Sequence, residues 1–185
     1  LVAIGVTGHR KLNNVEQISH GVDEAISKIK DSFPNKDLTI ISPLAEGADR
    51  LVVWRAMEQN DVHLVVPLPL DISEYMLDFK TISSRAEFVT LLEEAAEIIE
   101  LPAMETREAS YQAAGIYVLD NSDALIAVWD GKKAHGPGGT GHIIEQAREQ
   151  KKPLAWIFAW NQVDSPSSPS LTNDAQGKVS YENFP

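Results

Sequence analysis

The sequence predicts an α/β sandwich, a mostly parallel central sheet covered by helices on both faces. Short apolar runs rich in β-branched residues alternate with segments of helical period. The runs are continuously apolar, the pattern of strands buried on both faces. Three of them end in glycine-bearing turns that lead into a helix: Gly5-Val6-Thr7-Gly8-His9-Arg10, Ser42-Pro43-Leu44-Ala45-Glu46-Gly47-Ala48-Asp49-Arg50, and Gly136-Pro137-Gly138-Gly139-Thr140-Gly141.

Val2 to Thr7 reads as a first buried strand. Asn13 or Asn14 is placed to cap a helix running to about Asp31, with Val15, Ile18, Val22, Ile26 and Ile29 on one face. Leu38 to Ser42 is a second strand, and Ala48 to Gln59 a helix. Val62 to Pro67 is a third strand. Ser73 to Phe79 reads as a short helix, and Ser83 or Ser84 as the cap of another through Ala96. Glu97 to Leu101 carries charges and suits an edge strand. Arg107 to Asn121 is a helix, Ala124 to Trp129 a strand, Thr140 to Gln150 a helix and Leu154 to Ala159 a strand. From Asn161 the composition turns polar and rich in Ser and Pro, so residues 161–185 read as a linker or extended tail. The alternative is an arm packed through Val179, Tyr181 and Phe184.

The 185 residues, 43% hydrophobic and 23% charged, suit one domain at residues 1–160. There is no cysteine, which removes disulfides and thiol chemistry. No apolar run approaches the roughly 20 residues that span a bilayer, and no signal segment is visible. We expect a cytoplasmic protein without membrane contact. The chain opens at Leu1 directly in strand-like residues, so it reads as a segment of something longer. The net charge of −11 argues against nucleic acid as a partner. It leaves room for one small anion held by a local cluster of donors.

In open α/β sheets, ligands bind beyond the carboxyl ends of the strands, and all three glycine turns lie there. Gly8 permits close backbone approach, while His9 and Arg10 supply donors. Gly47 opens a helix whose first turn holds Asp49, either as a dipole partner or as an acceptor for ligand hydroxyls. Glu46 faces either solvent or the cleft, and Arg50 suits a structural ion pair. Gly138, Gly139 and Thr140 precede a helix and suit a phosphate, with Thr140 also placed to cap. Asp130 either holds a ribose hydroxyl or forms an Asp-Gly turn with Gly131. His135 and His142 flank the glycine loop without a carboxylate partner, a poor metal pattern. Arg107 and Tyr111 stand one turn apart and can face the same cleft, or simply pack.

Taken together, Val2–Arg10, Ser42–Asp49 and Gly138-Gly139-Thr140 resemble the SLOG superfamily, which joins the DNA-processing protein DprA with the Lonely Guy cytokinin-activating enzymes. The first two segments look like the strand-Gly-x-Arg and Ser-Gly-x-Ala-x-Gly-x-Asp loops of DprA. The third looks like the Gly-Gly-x-Gly-Thr-x-x-Glu loop of Lonely Guy. The resemblance implies a Rossmann-like three-layer sandwich that binds nucleotides or their derivatives. It also implies a catalytic glutamate three residues after the threonine, where this chain has Ile143. Glu145 falls five residues after Thr140, and His142 stands where a second acidic residue often follows. Glu46, Asp49 and Asp130 are the candidates for the missing carboxylate. The ligand-binding set is Gly8, His9, Arg10, Glu46, Gly47, Asp130, Gly138, Gly139 and Thr140. The expected function is binding or sensing of a nucleotide-type small molecule by a module of a longer protein. The alternative is N-glycosidic hydrolysis of nucleoside monophosphates, or a related deoxyribosyl transfer. No cofactor and no metal are expected. A homodimer, and an effector domain past Pro185, are left open.

Overall fold

The computed structural model describes residues 1–34, 37–59, 61–132, 139–160 and 175–185. The chain runs β1 (Val2–Gly8), α1 (Val15–Ser32), β2 (Leu38–Ile41), α2 (Ala48–Gln59), β3 (Val62–Leu68) and α3 (Ile72–Tyr75). A 3-10 turn at Met76–Asp78 leads into α4 (Ile82–Glu93), β4 (Glu97–Glu100), α5 (Arg107–Asp120), β5 (Ala124–Trp129), α6 (Thr140–Glu149), β6 (Leu154–Phe158) and β7 (Val179–Glu182). The strands form one sheet of seven in the order β4-β3-β2-β1-β5-β6-β7. Neighbours are parallel except β6 and β7. This is a Rossmann-like sandwich.

The order positions the site. The chain steps outward from β1 through β2 and β3 to β4, then returns to lay β5 on the other flank of β1, with Gly8 opposite Val128. Between the carboxyl ends of β1 and β5 the connections leave in opposite directions, which opens a crevice. Helices α1 and α2 pack on one face, and α5 and α6 on the other. Ile18, Val22, Ile26 and Ile29 recur at helical spacing and meet Ile4, Ile40 and Ile126 in the first core. Val118, Ile143 and Ile144 meet Leu125 and Ala127 in the second.

Several element ends differ from the sequence expectation, each for a local reason. Asn14 adopts a left-handed backbone (φ 51°) and makes no side-chain cap bond, so it turns the chain into α1 without capping it. Thr81, ahead of Ser83 and Ser84, caps α4 by accepting the Ser84 N–H at 3.1 Å. Helix α4 stops at Glu93, short of Ala96, because the Ala96 N–H is taken by Leu64 O at 2.9 Å as β4 begins. The helix expected over Ser73–Phe79 divides into α3 and the 3-10 turn, and Asp71 caps it. Gly139, not Thr140, is the N-cap of α6, and no side chain caps that end.

The tail expectation is corrected for residues 175–185. Val179–Glu182 forms β7 along β6, and Val179, Tyr181 and Phe184 pack on the core. Arg148 grips Glu182 through two bonds of 2.9 and 2.7 Å, and the Tyr181 hydroxyl donates to Glu24 at 2.9 Å. An antiparallel edge strand of four residues has too short an alternation to stand out from polar sequence. Residues 161–174 lie outside the described residues. Among the described residues no helix is long and apolar enough to cross a membrane.

Candidate functional site

The first two glycine turns are built into one another. A side-chain carbon at Gly8 would lie 2.5 Å from the Ala48 Cβ and 2.6 Å from Val128 O. Glycine at this position lets α2 and β5 close on the end of β1. Gly47 has φ +82°, and a carbon there would lie 2.5 Å from both His9 O and Arg10 O. The next residue, Ala48, donates its N–H to His9 O at 3.0 Å. Gly47 therefore clamps the second loop under the first and is not part of the cavity wall. Gly47→Ala combines an unfavourable φ with a steric clash, and should lower stability by more than about 1 kcal/mol, read as a shift in the urea midpoint.

Above this clamp a cavity of about 520 Å³ opens at the switch point. Its polar rim is Arg10 and Lys11 after β1 and Gly139 and Thr140 at the start of α6. In that first helical turn the His142 N–H already donates to Gly139 O at 2.9 Å, whereas the Thr140 and Gly141 amides precede any intrahelical acceptor and carry the positive end of the helix dipole. The floor is apolar: Val6, Ala114, Gly115, Val118 and Ile143, with Pro43 and Pro69 at the sides. Tyr75 and Asp49 close the deep end.

Arg10 is held by an aromatic face. Its guanidinium lies 5.2 Å from the centre of the Tyr111 ring. The Tyr111 hydroxyl donates to Asp78 and accepts from Arg107 Nε at 2.8 Å, and Arg107 also donates to Asp78 at 2.9 Å. Burial and the Asp78 carboxylate push the Tyr111 hydroxyl up from its ordinary value. Of the two residues expected one turn apart, Tyr111 reaches the cavity and Arg107 secures it from behind.

Asp49 is the buried carboxylate of the site. One oxygen accepts the Ala45 N–H at 3.2 Å. Burial pushes its carboxyl up to about 7, against the opposing pull of the Ala45 N–H, Arg10, the Ser42 hydroxyl and Arg50. At neutral pH it is divided between acid and carboxylate, as a proton-transfer group requires. The neighbouring Tyr75 hydroxyl is also raised, by burial first and by Asp49 second.

The other candidates fall into different surroundings. The Asp130 N–H donates to His9 Nε2 at 3.1 Å, and Asp130 Oδ1 lies 3.3 Å from the same nitrogen. Asp130 Oδ1 also accepts the Lys132 N–H at 3.1 Å, closing a turn with Gly131 at φ +82°. That is the turn alternative for Asp130, which does not line the cavity, whereas His9 does. Glu46 accepts from the Ser84 hydroxyl and borders an adjoining polar groove, together with Arg10, Lys11, Ser83, Ser84 and Glu87. Gly138 and His135 lie outside the described residues. Arg50 forms the expected ion pair, with Glu87 at 2.9 Å. Ile143, 2% exposed, packs against α5 at Gly115, so an aliphatic side chain stands where the resemblance implied a glutamate.

Sequence reasoning missed Lys11, Tyr75 and the α5 floor. The run Ala113-Ala114-Gly115 was the available signal, since small residues on one helix face leave room beside a sheet.

No family model and no curated protein sequence matches this chain. The fold does match a solved structure, DNA processing protein A from Helicobacter pylori, described for its unique single-stranded DNA binding mode. The TM-score is 0.55 at 19% identity, over 95% of this chain and 69% of that one. The chain thus has a DprA-like fold. This finding corrects the expectation, drawn from a net charge of −11, that nucleic acid is not a partner. A protein of the same fold binds single-stranded DNA, so total charge alone does not exclude that class of partner.

Proposed function

We propose that this domain binds a nucleotide-type ligand at the β1–β5 switch point, as a SLOG-like recognition module. The observation that carries the reading is the convergence of Arg10, Lys11 and the first turn of α6 on the rim of one cavity of suitable size. A phosphate on that rim meets two cations and a helix N-terminus. Sugar and base then lie on the apolar α5 floor, with Asp49 at the deep end to accept from a ligand N–H or O–H. The likeness to a protein that binds single-stranded DNA supports a ligand built of nucleotide units.

Calorimetric titration with adenosine, guanosine and cytidine monophosphates and a short oligothymidylate tests this. At least one should bind, and Arg10→Ala should weaken it by about 10- to 150-fold, the equivalent of a charge-assisted hydrogen bond of about 1.5–3 kcal/mol. Equal affinity in the Arg10→Ala variant would place the ligand elsewhere.

Asp49 favours a second reading, N-glycosidic hydrolysis. There, water adds to the sugar C1′, the bond from C1′ to the base nitrogen breaks, the base leaves with a proton from a neutral acid, and the proton lost by the water returns to the resulting carboxylate. Ile143 weighs against it, because a buried aliphatic side chain can neither stabilise an oxocarbenium-like centre nor handle a proton. With saturating nucleoside monophosphate we expect no free base above background over hours. Release near about 1 per second that vanishes in Asp49→Asn would establish the hydrolase instead.

A further inference from the structure

The deep end of the cavity contains a feature that phosphate binding alone does not require. Asp49 is 5% exposed, lines the same cavity as the cationic rim, and is favoured in its charged form by Arg10 of that rim more than by Arg50. We propose that Asp49 links ligand binding to proton uptake: an anionic ligand that engages Arg10 is bound together with a proton on the Asp49 carboxyl. The inference rests on the nucleotide reading above and deepens it, because it makes the site selective for phosphorylated over neutral ligands in a pH-dependent way.

The physical chain is short. Arg10 and Arg50 both favour the ionised form of Asp49, and so do the Ser42 hydroxyl and the Ala45 N–H. A phosphate that pairs with Arg10 withdraws part of that support and adds negative charge to the same low-dielectric space. The groups around Asp49 come from every wall. Arg10, His9 and Lys11 follow β1, Arg50 shares α2, Tyr75 stands on α3 and Tyr111 on α5. Tyr75 stays neutral well above physiological pH, being pushed up by burial. Asp49 is then the carboxyl on the wall whose charge can adjust. A neutral acid is also the better partner for a bound ligand, since it can donate as well as accept.

The test is calorimetry with adenosine monophosphate on the whole chain, in two buffers of different ionisation enthalpy, from pH 7 to pH 8.5. The phosphate is already a dianion over this range, its second pKa lying near 6. We expect net proton uptake on binding. The affinity should fall by about 15-fold across the range, the ratio expected when only the protonated fraction binds. Adenosine, lacking the phosphate, should change less than about twofold by the same relation. Asp49→Asn should bind the monophosphate with a flat pH profile, while keeping His9 and Lys11. Ser42→Ala removes a group that favours the carboxylate, and should move the inflection to higher pH. This second variant, and the proton count in the unaltered protein, decide the matter if the Asn variant does not fold. Binding without proton uptake, or the same pH profile in Asp49→Asn, would overturn the linkage and leave the nucleotide reading standing. Absence of binding by any nucleotide at either pH would overturn both.

Discussion

Asp49→Asn should stabilise the protein at pH 8 by up to roughly 4 kcal/mol. The carboxyl has an ordinary value of 3.8 and is held at about 7 by burial in the fold. Between those values the folded protein keeps a proton that the unfolded chain has lost. Stability therefore falls as pH rises through that window, and the loss is complete above about 7. Below 3.8 both states are protonated and the residue contributes no difference. An amide of the same shape carries no charge at any pH and escapes the penalty. Urea denaturation at pH 8 should show the variant well above the parent, and at pH 4 the two should coincide. A variant less stable at pH 8 would mean that Arg10 and Arg50 hold the Asp49 carboxylate more strongly than burial opposes it. A group that weakens the fold at neutral pH while lining a cavity is what a site tuned for ligand would retain.

Arg50→Ala should cost about 3–5 kcal/mol. Arg50 is 2% exposed and ties α2 to the second loop and to α4. Its Nε donates to Leu44 O at 3.0 Å, and its Nη1 to Ser84 O at 2.8 Å and to Glu87 at 2.9 Å. The guanidinium lies 4.4 Å from the centre of the Phe79 ring, and its buried Nη2 has no acceptor among the described residues. Truncation leaves a void beside Phe79 and Phe88 and strips two carbonyls of their donor. Glu87 is 42% exposed on its side chain and can return to water, so little of the loss comes from the ion pair itself. Thermal or urea unfolding reads the effect. A loss under about 1 kcal/mol would show that α4 and the second loop hold together without Arg50.

The sheet was legible because a strand buried on both faces leaves a dense signature. Val2 to Thr7 and Ala124 to Trp129 have no polar interruption beyond Thr7, and they became β1 and β5 side by side. The position of the first loop was legible for a related reason: a glycine at a strand end is rarely free of a close neighbour, and Gly8 has two. What that glycine accommodates was not legible, since Ala48 and Val128 reach it from distant sequence. The same limit hid the role of Gly47, which serves a contact with His9 and Arg10 rather than a ligand. Asp49 could be placed in a first helical turn by sequence, but not in a cavity it shares with Tyr75 and α5, which tertiary packing brings together. The segment of β7 reads first as a tail, with a packed arm through Val179, Tyr181 and Phe184 as the alternative, because Val179 and Tyr181 are only two alternating positions. Total charge misled about nucleic acid because it averages over a surface on which Arg10 and Lys11 occupy one rim.

We expect the β1–β5 crevice to receive a phosphate-bearing ligand. The most direct measurement is a nitrogen-15 amide titration with nucleoside monophosphates, read residue by residue. The largest shifts should fall at Gly8, Arg10, Gly139, Thr140 and Gly141, and should be lost in Arg10→Ala. Shifts confined to the far edge of the sheet, around Trp156 and Lys178, or no shifts with any nucleotide at millimolar concentration, would contradict the account.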